Sequence, residues 1–419
     1  MAEVLIAGGG IGGLVAALSL RAAGFTPRVF EATSEIRPLG VGINVLPHAV
    51  RELTELGLAE QLAATGVATR ELRYISAHGQ EIWREDRGLA AGYRWPQYSI
   101  HRGMLQMLLL EQCRARGIEV RTGHRVTAFT QDAAGVTAHF DNGEAATGVA
   151  LIGADGIHSA IRRHFAPGEG APSWQGAVLW RATTIAAPFL TGATMVQAGH
   201  HSQKFVCYPI RHLPDGRVLT NWIAEMKVDV GPDSKGGGFN REDWNREADR
   251  NTFLPHYESW NWGWLDVPSL IRGAERVLEY PMVDRDPLDR WTDGRVTLLG
   301  DAAHPMYPIG SNGASQAILD ARQLALNLAR ARSITEGLAA YEAARRPPTA
   351  ALTLANRALG PDLILEEVHR RSPQGFTDLH AVISERELIE TATNYKRLAG
   401  FDPALLNGRE SWSVPASPE

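Results

Sequence analysis

Three short stretches of the sequence place glycine and acidic residues where an apolar run ends. The first is Gly8-Gly9-Gly10-Ile11-Gly12-Gly13, with glycines in GxGxxG spacing at 8, 10 and 13. With 42 glycines in 419 residues, about 0.4 such matches arise by chance in a chain of this length, so the pattern acquires meaning only from its setting. Val4 to Ala7 precedes it as a buried-strand run and a helical pattern follows. There Gly8 permits a tight turn, Gly10 lets backbone N–H groups approach a pyrophosphate, and Gly13 allows close helix–strand contact. Glu31, at the end of the next strand, is positioned to accept hydrogen bonds from an adenosine ribose. The second stretch is Leu151 to Arg162, in which a strand delivers Asp155-Gly156 into a turn. The third runs from Val296 to Gly300-Asp301 and His304, then Pro308-Ile309-Gly310-Ser311-Asn312-Gly313-Ala314. Asp301 could bind a ribityl hydroxyl, and Gly310 to Ala314 could present N–H groups at a helix start that favours negative charge.

Positioning such groups requires a particular set of elements. Val4–Ala7, Arg28–Glu31 and Val296–Leu299 read as strands buried on both faces. Leu14, Ala17, Leu18 and Ala22 lie on one face of a helix that Gly24 closes. Further helices are expected over Pro47–Leu58, Met104–Arg114 and Ala314–Arg332. From Ile118 strands return, divided by turns at Gly135 and Asp141-Asn142-Gly143. Residues 175–278 are rich in Trp, Tyr and Pro and alternate like an antiparallel sheet. The expected fold class is α/β: a Rossmann-like domain of residues 1–70, 95–174 and 279–350, interleaved with an antiparallel-sheet domain of 71–94 and 175–278. Residues 351–419 read as a C-terminal helical segment with a frayed Ser/Pro tail.

Composition removes several function classes. A net charge of −5 argues against general nucleic-acid affinity. Two distant cysteines, Cys113 and Cys207, form neither a CxxC pair nor a disulfide framework. The 14 histidines show no metal-ligand clustering. Neither a secretory signal nor an apolar run of about 18 residues is visible, so the expectation is a soluble, cytoplasmic protein, monomeric or homodimeric, that binds no membrane.

Taken together and in this order, the three stretches resemble the fingerprints of the class A flavoprotein aromatic hydroxylases, the para-hydroxybenzoate hydroxylase family. The resemblance covers most of residues 1–350. It is sharpened by Arg37 to Asn44, Gln97 to Arg102, Tyr280 to Pro287 and Asn312 to Asp320, which look most like the phenazine monooxygenases acting on 5-methylphenazine-1-carboxylate. It implies FAD as cofactor, bound by Gly8, Gly10, Ile11, Gly12, Gly13, Glu31, Arg102, Val126, Asp301, Pro308 and Gly310, Ser311, Asn312, Gly313 and Ala314, with Gly42-Ile43 beside the isoalloxazine. Asp155 and Arg162 belong to the motif that the family links with both FAD and NAD(P)H. Much of the broader family has Asn after the glycine loop where this chain has Ser315, so side-chain support of the ring's pyrimidine edge is expected to differ.

No second GxGxxG occurs near mid-chain, so NADH or NADPH is expected to bind transiently over the flavin domain. The resemblance implies a cycle in which NAD(P)H reduces FAD, dioxygen adds to give a flavin hydroperoxide, and one oxygen passes to a small, planar aromatic or heteroaromatic substrate. Candidates for the pocket are Trp180, Arg181, Tyr208, Trp222 and Pro308, with His304, Tyr208 and Arg181 as candidate catalytic groups and Arg181 or Arg37 for a substrate carboxylate. For each Trp or Tyr, core packing is the competing reading, and for His304 a satisfied structural histidine. Oxidative decarboxylation or ring rearrangement by the same chemistry, and a non-catalytic flavin-binding partner, stand as alternatives. Trp260-Asn261-Trp262-Gly263-Trp264 invites comparison with the WxWxI of flavin halogenases, but Leu265-Asp266-Val267 does not complete that motif. The run is expected to pack the sheet.

Overall fold

A computed structural model describes residues 2–228 and 246–414. The Ser/Pro end of the chain, 415–419, lies outside the described residues. The largest α/β unit is a six-stranded sheet of β1 (Glu3–Ala7), β2 (Thr26–Phe30), β8 (Glu119–Arg121), β12 (Ala150–Gly153), β18 (Thr292–Asp293) and β19 (Val296–Leu298), in the order β18-β19-β12-β1-β2-β8. All neighbours pair in parallel except β18 with β19. The central strands are apolar at nearly every position, which a parallel sheet covered on both faces requires. They share one core with α1 (Ile11–Ala22), α4 (Arg102–Ala115), α7 (Gly313–Arg330) and a small sheet of β9 (Val126–Gln131), β10 (Val136–Phe140) and β11 (Ala145–Gly148).

The Trp-rich region forms a seven-stranded sheet, β17-β13-β16-β15-β14-β5-β6. Its strands are β5 (Glu71–Ile75), β6 (Glu81–Asp86), β13 (Ser173–Ala186), β14 (Thr194–His200), β15 (Gln203–His212), β16 (Val218–Lys227) and β17 (Leu278–Asp284). It is antiparallel except where the earlier hairpin β5–β6 joins it by a parallel pairing of β5 with β14. Alternation along β13, β15 and β16 gives the sheet two dissimilar faces. One face packs Trp180, Ala182, Cys207, Trp222 and Ala224 against α6 (Val267–Arg272) and the segment around Phe253 to Leu265. The other carries Arg181, Tyr208, Ile210, Asn221 and Ile223.

Between the two sheets lies a three-stranded one, β3 (Gly42–Val45), β7 (Gln97–His101) and β4 (Val67–Thr69). The remaining helices are α2 (Pro47–Glu55), α3 (Ala59–Thr65), α5 (Arg162–Phe165), α8 (Ile334–Arg357), α9 (Leu363–Arg371), α10 (Glu385–Leu398) and α11 (Pro403–Gly408). Among the described residues no helix is long and apolar enough to cross a membrane.

Candidate active site

Parallel pairing explains why motifs 150 residues apart can meet. β1, β2, β12 and β19 point the same way, so the residues after them, Gly8, Glu31, Ala154-Asp155 and Gly300-Asp301, line one edge of the sheet. Crevices at the carboxyl ends of such strands are where nucleotides bind in open α/β sheets. Gly8 adopts a φ of +106° and a Cβ there would lie 2.3 Å from the Ala154 carbonyl oxygen. A Cβ at Gly13 would lie 2.0 Å from the Gly8 oxygen, whereas one at Gly10 would meet nothing within 4 Å. The turn is therefore closed where it touches the sheet and open where a phosphate would approach. Glu31 steadies its rim, accepting from the Gly9 N–H at 2.7 Å and the Thr33 N–H at 2.8 Å. Ile11 is buried as α1 begins, and a Cβ at Gly12 would strike Leu299 at 2.8 Å. Val126 is buried at the start of β9, two residues after His124 donates its backbone N–H to the Glu31 carbonyl.

Further along the crevice, Gly42 is held from three sides. Its N–H donates to Asn221 Oδ1 at 2.7 Å, and its carbonyl accepts from Tyr208 OH at 3.0 Å and Arg181 at 2.9 Å. A Cβ at Gly42 would lie 2.7 Å from that of Asn221. The three clamping side chains come from neighbouring strands, and Tyr208 and Asn221 are directly opposite in the ladder. Burial pushes the Tyr208 phenol up to about 12, so it remains a donor across the working pH range. Opposite stands the N-terminus of α7. Gly310 (φ +68°) and Ser311 (φ +58°) turn the chain sharply before Asn312, whose side chain does not cap the helix. No acidic residue occupies the first turn of α7, so its positive end is uncompensated from within. Asp301 lies beside it, 4.0 Å from a Cβ built on Gly313. The surrounding protein raises the Asp301 carboxyl, while His304 and Arg102 pull it down. Arg102 opens α4, and Pro308 is exposed in the loop before Gly310.

Several expected site residues lie elsewhere. Trp180 and Trp222 are on the opposite face of the seven-stranded sheet from Arg181 and Tyr208. Trp180 stacks on Phe253 at 4.5 Å and donates to Glu279, and Trp222, fully buried, donates to Thr184. Consecutive strand residues point to opposite faces, so Trp180 and Arg181 could not both reach one pocket. His304 is buried beneath the Gly300–Asp301 turn, its Nε2 2.5 Å from Asp320, which also accepts from Arg345 at 2.7 Å. Burial opposes charge on Asp320, yet His304 and Arg345 hold its carboxyl at about 2. His304 thus props the loop from below. Arg37 is exposed and paired with Glu35. Arg162 is buried, tied to Glu169 and to the carbonyls of Ala302, Ala303 and Asp286, so it fastens the second and third motifs together. The Asn312 side chain turns inward to Tyr395 at 2.8 Å. Ser315 accepts from the Leu46 N–H at 3.1 Å and so docks the start of α2. The Trp260–Trp264 run packs into the core on the far face of the sheet, as expected.

Two participants were not expected. Asn221 is recognisable only once the ladder pairs it with Tyr208. The apolar wall of Leu179, Met282, Tyr307 and Ile309, with Ile223 and Tyr280 beside it, draws on four separate segments.

An open phosphate cradle, an acid at the ribose position, Asp155 with a buried and unpartnered Oδ1, and an uncapped helix end together fit a flavin dinucleotide. Among the described residues no group of three potential metal ligands occurs. Comparison with known proteins agrees. The family described as FAD binding domain matches residues 1–234 and 279–355. Phenazine 1,6-dicarboxylic acid hydroxylase PhzS of Lysobacter antibioticus is 49% identical over 368 residues, covering 85% of this chain and 89% of that protein. 3-Hydroxybenzoate 6-hydroxylase 1 of Aquipseudomonas alcaligenes is 32% identical, covering 83% and 86%. Among solved structures, HpxO of Klebsiella pneumoniae complexed with FAD and uric acid superposes with a TM-score of 0.71 at 25% identity, covering 97% of this chain and 95% of that one.

Proposed function

Since this chain belongs to the family of FAD-dependent aromatic hydroxylases, we propose that it is a cytoplasmic monooxygenase that uses NAD(P)H and dioxygen to hydroxylate a planar, phenazine-like heteroaromatic compound. FAD is its cofactor and it is an enzyme. The non-catalytic alternative therefore falls. The observation that carries the substrate reading is the make-up of the surface above Gly42: Arg181, Tyr208 and Asn221 turn their polar groups to the Gly42 peptide, and Ile210, Ile223, Leu179, Met282 and the loop residue Ile309 supply apolar surface around them. Such a wall excludes water from one face of a flat ring. The hydroxylase from Lysobacter, named for a tricyclic acid, supports a substrate of similar shape.

Bound flavin would supply electron transfer from the nicotinamide and activation of dioxygen. The chain's own residues do the rest. Gly10 to Gly13 and Glu31 would hold the pyrophosphate and ribose, and Asp301 the ribityl chain. The α7 N-terminus would favour negative charge at the pyrimidine edge of the ring. Tyr208, Arg181 and Asn221 would fix the Gly42 peptide against the ring, so that the position where substrate and oxygen meet is set by a β-sheet and not by a mobile loop.

The test is turnover of the FAD-loaded protein with a panel of phenazines under isotopically labelled dioxygen. Substrate should accelerate NADH or NADPH oxidation about tenfold or more, and the product should carry one labelled oxygen. Loss of a ring carboxyl in the same product would assign oxidative decarboxylation in place of plain hydroxylation. Oxidation of nicotinamide that no aromatic compound accelerates would refute the proposal.

A further inference from the structure

His101 stands where three segments bordering the dinucleotide crevice meet. It ends β7, pairs with Gly42 in the β3–β7 ladder and immediately precedes α4. Its Nδ1 accepts from the Gly103 N–H at 3.2 Å and so caps that helix. Histidine is outside the short polar set preferred at this position. An imidazole that accepts at Nδ1 carries its proton on Nε2, and the Gly40 carbonyl favours a proton on the ring. One ring therefore serves the helix start and the 32–41 segment together. Burial holds the imidazole below its usual range against that carbonyl, and Arg211 and Arg102 add to the effect. The ring is then neutral near neutral pH, and its acceptor is available to Gly103.

The 32–41 segment joins Glu31, at the end of β2, to Gly42, at the start of β3. It is laid on the first turn of α4. The Arg102 N–H donates to the Val41 carbonyl at 2.9 Å. A Cβ at Gly103 would lie 2.3 Å from the Pro38 carbonyl carbon, so backbone meets backbone there. Gly40, at a φ of +101°, runs beside the stem of Arg102, where a Cβ would come 3.7 Å from Arg102 Cδ.

Arg102 is the group that this junction aims. It shares a face of α4 with Gln106, one turn on, whose Nε2 donates to the Gly9 carbonyl of the glycine turn at 2.8 Å. Asp301 and Tyr280 both sense its charge, which puts the guanidinium within electrostatic reach of the third motif and of the apolar wall. The Arg102 side chain is exposed, so its direction comes from the backbone at the start of α4 and from Gly40 alongside it. His101 touches both.

We propose that His101 is a positioning residue: by joining the start of α4 to the Gly40 carbonyl, it aims Arg102 at the anionic phosphates of FAD. This role rests on the flavin reading and adds to it a residue that acts without touching the cofactor.

The experiment titrates the FAD-stripped full chain with FAD, following flavin fluorescence, and records its melting temperature. Arg102→Gln should weaken FAD about tenfold or more, the loss of one charge-assisted contact. His101→Leu should weaken it at least about fivefold in wild type but less than about twofold in the Arg102→Gln background, since its effect passes through the guanidinium. His101→Asn returns an acceptor to the helix start and should recover most of the affinity that His101→Leu loses. An equal fold loss from His101→Leu in both backgrounds would mean that His101 steadies the fold without aiming Arg102, and overturns the proposal. Where the double variant does not fold, the two single substitutions of His101 decide, and equal affinities for Leu and Asn overturn it. If Arg102→Gln weakens FAD and His101→Leu does not, the positioning role is wrong and the flavin reading stands. If Arg102→Gln binds FAD as wild type does, the placing of Arg102 and the role of His101 fall together. If wild type takes up no FAD, the flavin reading itself fails.

Discussion

Gly42 is the residue on which the site's geometry turns, because three side chains spend their hydrogen bonds on its peptide group. The contributions are unequal. Tyr208→Phe leaves the Gly42 carbonyl with Arg181, so it should cost about 0.5–1.5 kcal/mol in melting experiments. Asn221→Ala leaves a buried N–H unpaired and opens space beside it, and should cost about 1–3 kcal/mol with a larger drop in substrate-stimulated turnover than in FAD content. Equal effects of the two variants would mean that Gly42 is not held as described. At this scale the glycine turn was legible in the sequence, since it answers to a local backbone demand, while ligand contacts by Glu31 and Asp301 are part of the proposal. Trp180, Trp222 and His304 were open to two readings, because such side chains suit a core and a ligand pocket equally well, and the structure packs them as core and support. Facing decides between them. Alternation already set Trp180 against Arg181, but only the pairing of β15 with β16 shows which face meets Gly42.

Among the elements, α7 and α2 form a unit that presents the third motif. α7 begins at the crevice and its buried side passes Gln316 and Arg322 beneath α2, where His48 approaches Gln316 and Glu52 and Glu55 pair with Arg322. His48 is fully enclosed, and burial, then Arg345 and Arg409, push its imidazole down to about 3. The sign follows directly. Below about pH 6.5 the unfolded chain takes up a proton that the native state refuses, so His48 removes about 1.4 kcal/mol of stability per pH unit until about pH 3. Replacing it with Asn should flatten that part of the stability–pH profile, as read by denaturation midpoints between pH 7 and 5. A parallel slope in the variant would assign the loss to other groups. The strands and α1, α4 and α7 were readable from periodicity to within a few residues. Helix α8 was not, because it runs through Pro347 and Pro348, residues that ordinarily stop a helix. Its buried Arg345 and Tyr341, bound to Asp320 and to the Leu298 carbonyl, hold it in place from the tertiary side.

Over the whole molecule, residues 406–413 are tied back to α2 and α7. After α11, Arg409 pairs with buried Glu52, Arg51 donates to the carbonyls of Leu406 and Arg409, and Ser413 meets Arg322. Removing residues 403–419 would leave Glu52 with Arg322 alone, and breaking such buried pairs costs about 3–5 kcal/mol. Truncation after Asp402 should therefore lower the melting temperature and weaken FAD retention together. Full FAD retention in the truncated chain would show that the strap does not support the crevice. This long-range closure was invisible in the sequence, since nothing in Arg409 or Glu52 names the other. The larger division into a parallel nucleotide sheet and a Trp-rich antiparallel sheet was visible, because the two sheets impose different patterns on their strands. The central claim is that strand ends from three parts of the chain converge on one flavin. A crystal structure of the FAD-loaded protein tests it most directly. The pyrophosphate should lie over Gly10 to Gly13 and the isoalloxazine between Gly42-Ile43 and the N-terminus of α7. A ring bound away from Gly42-Ile43, or a pyrophosphate outside the glycine turn, would contradict the account.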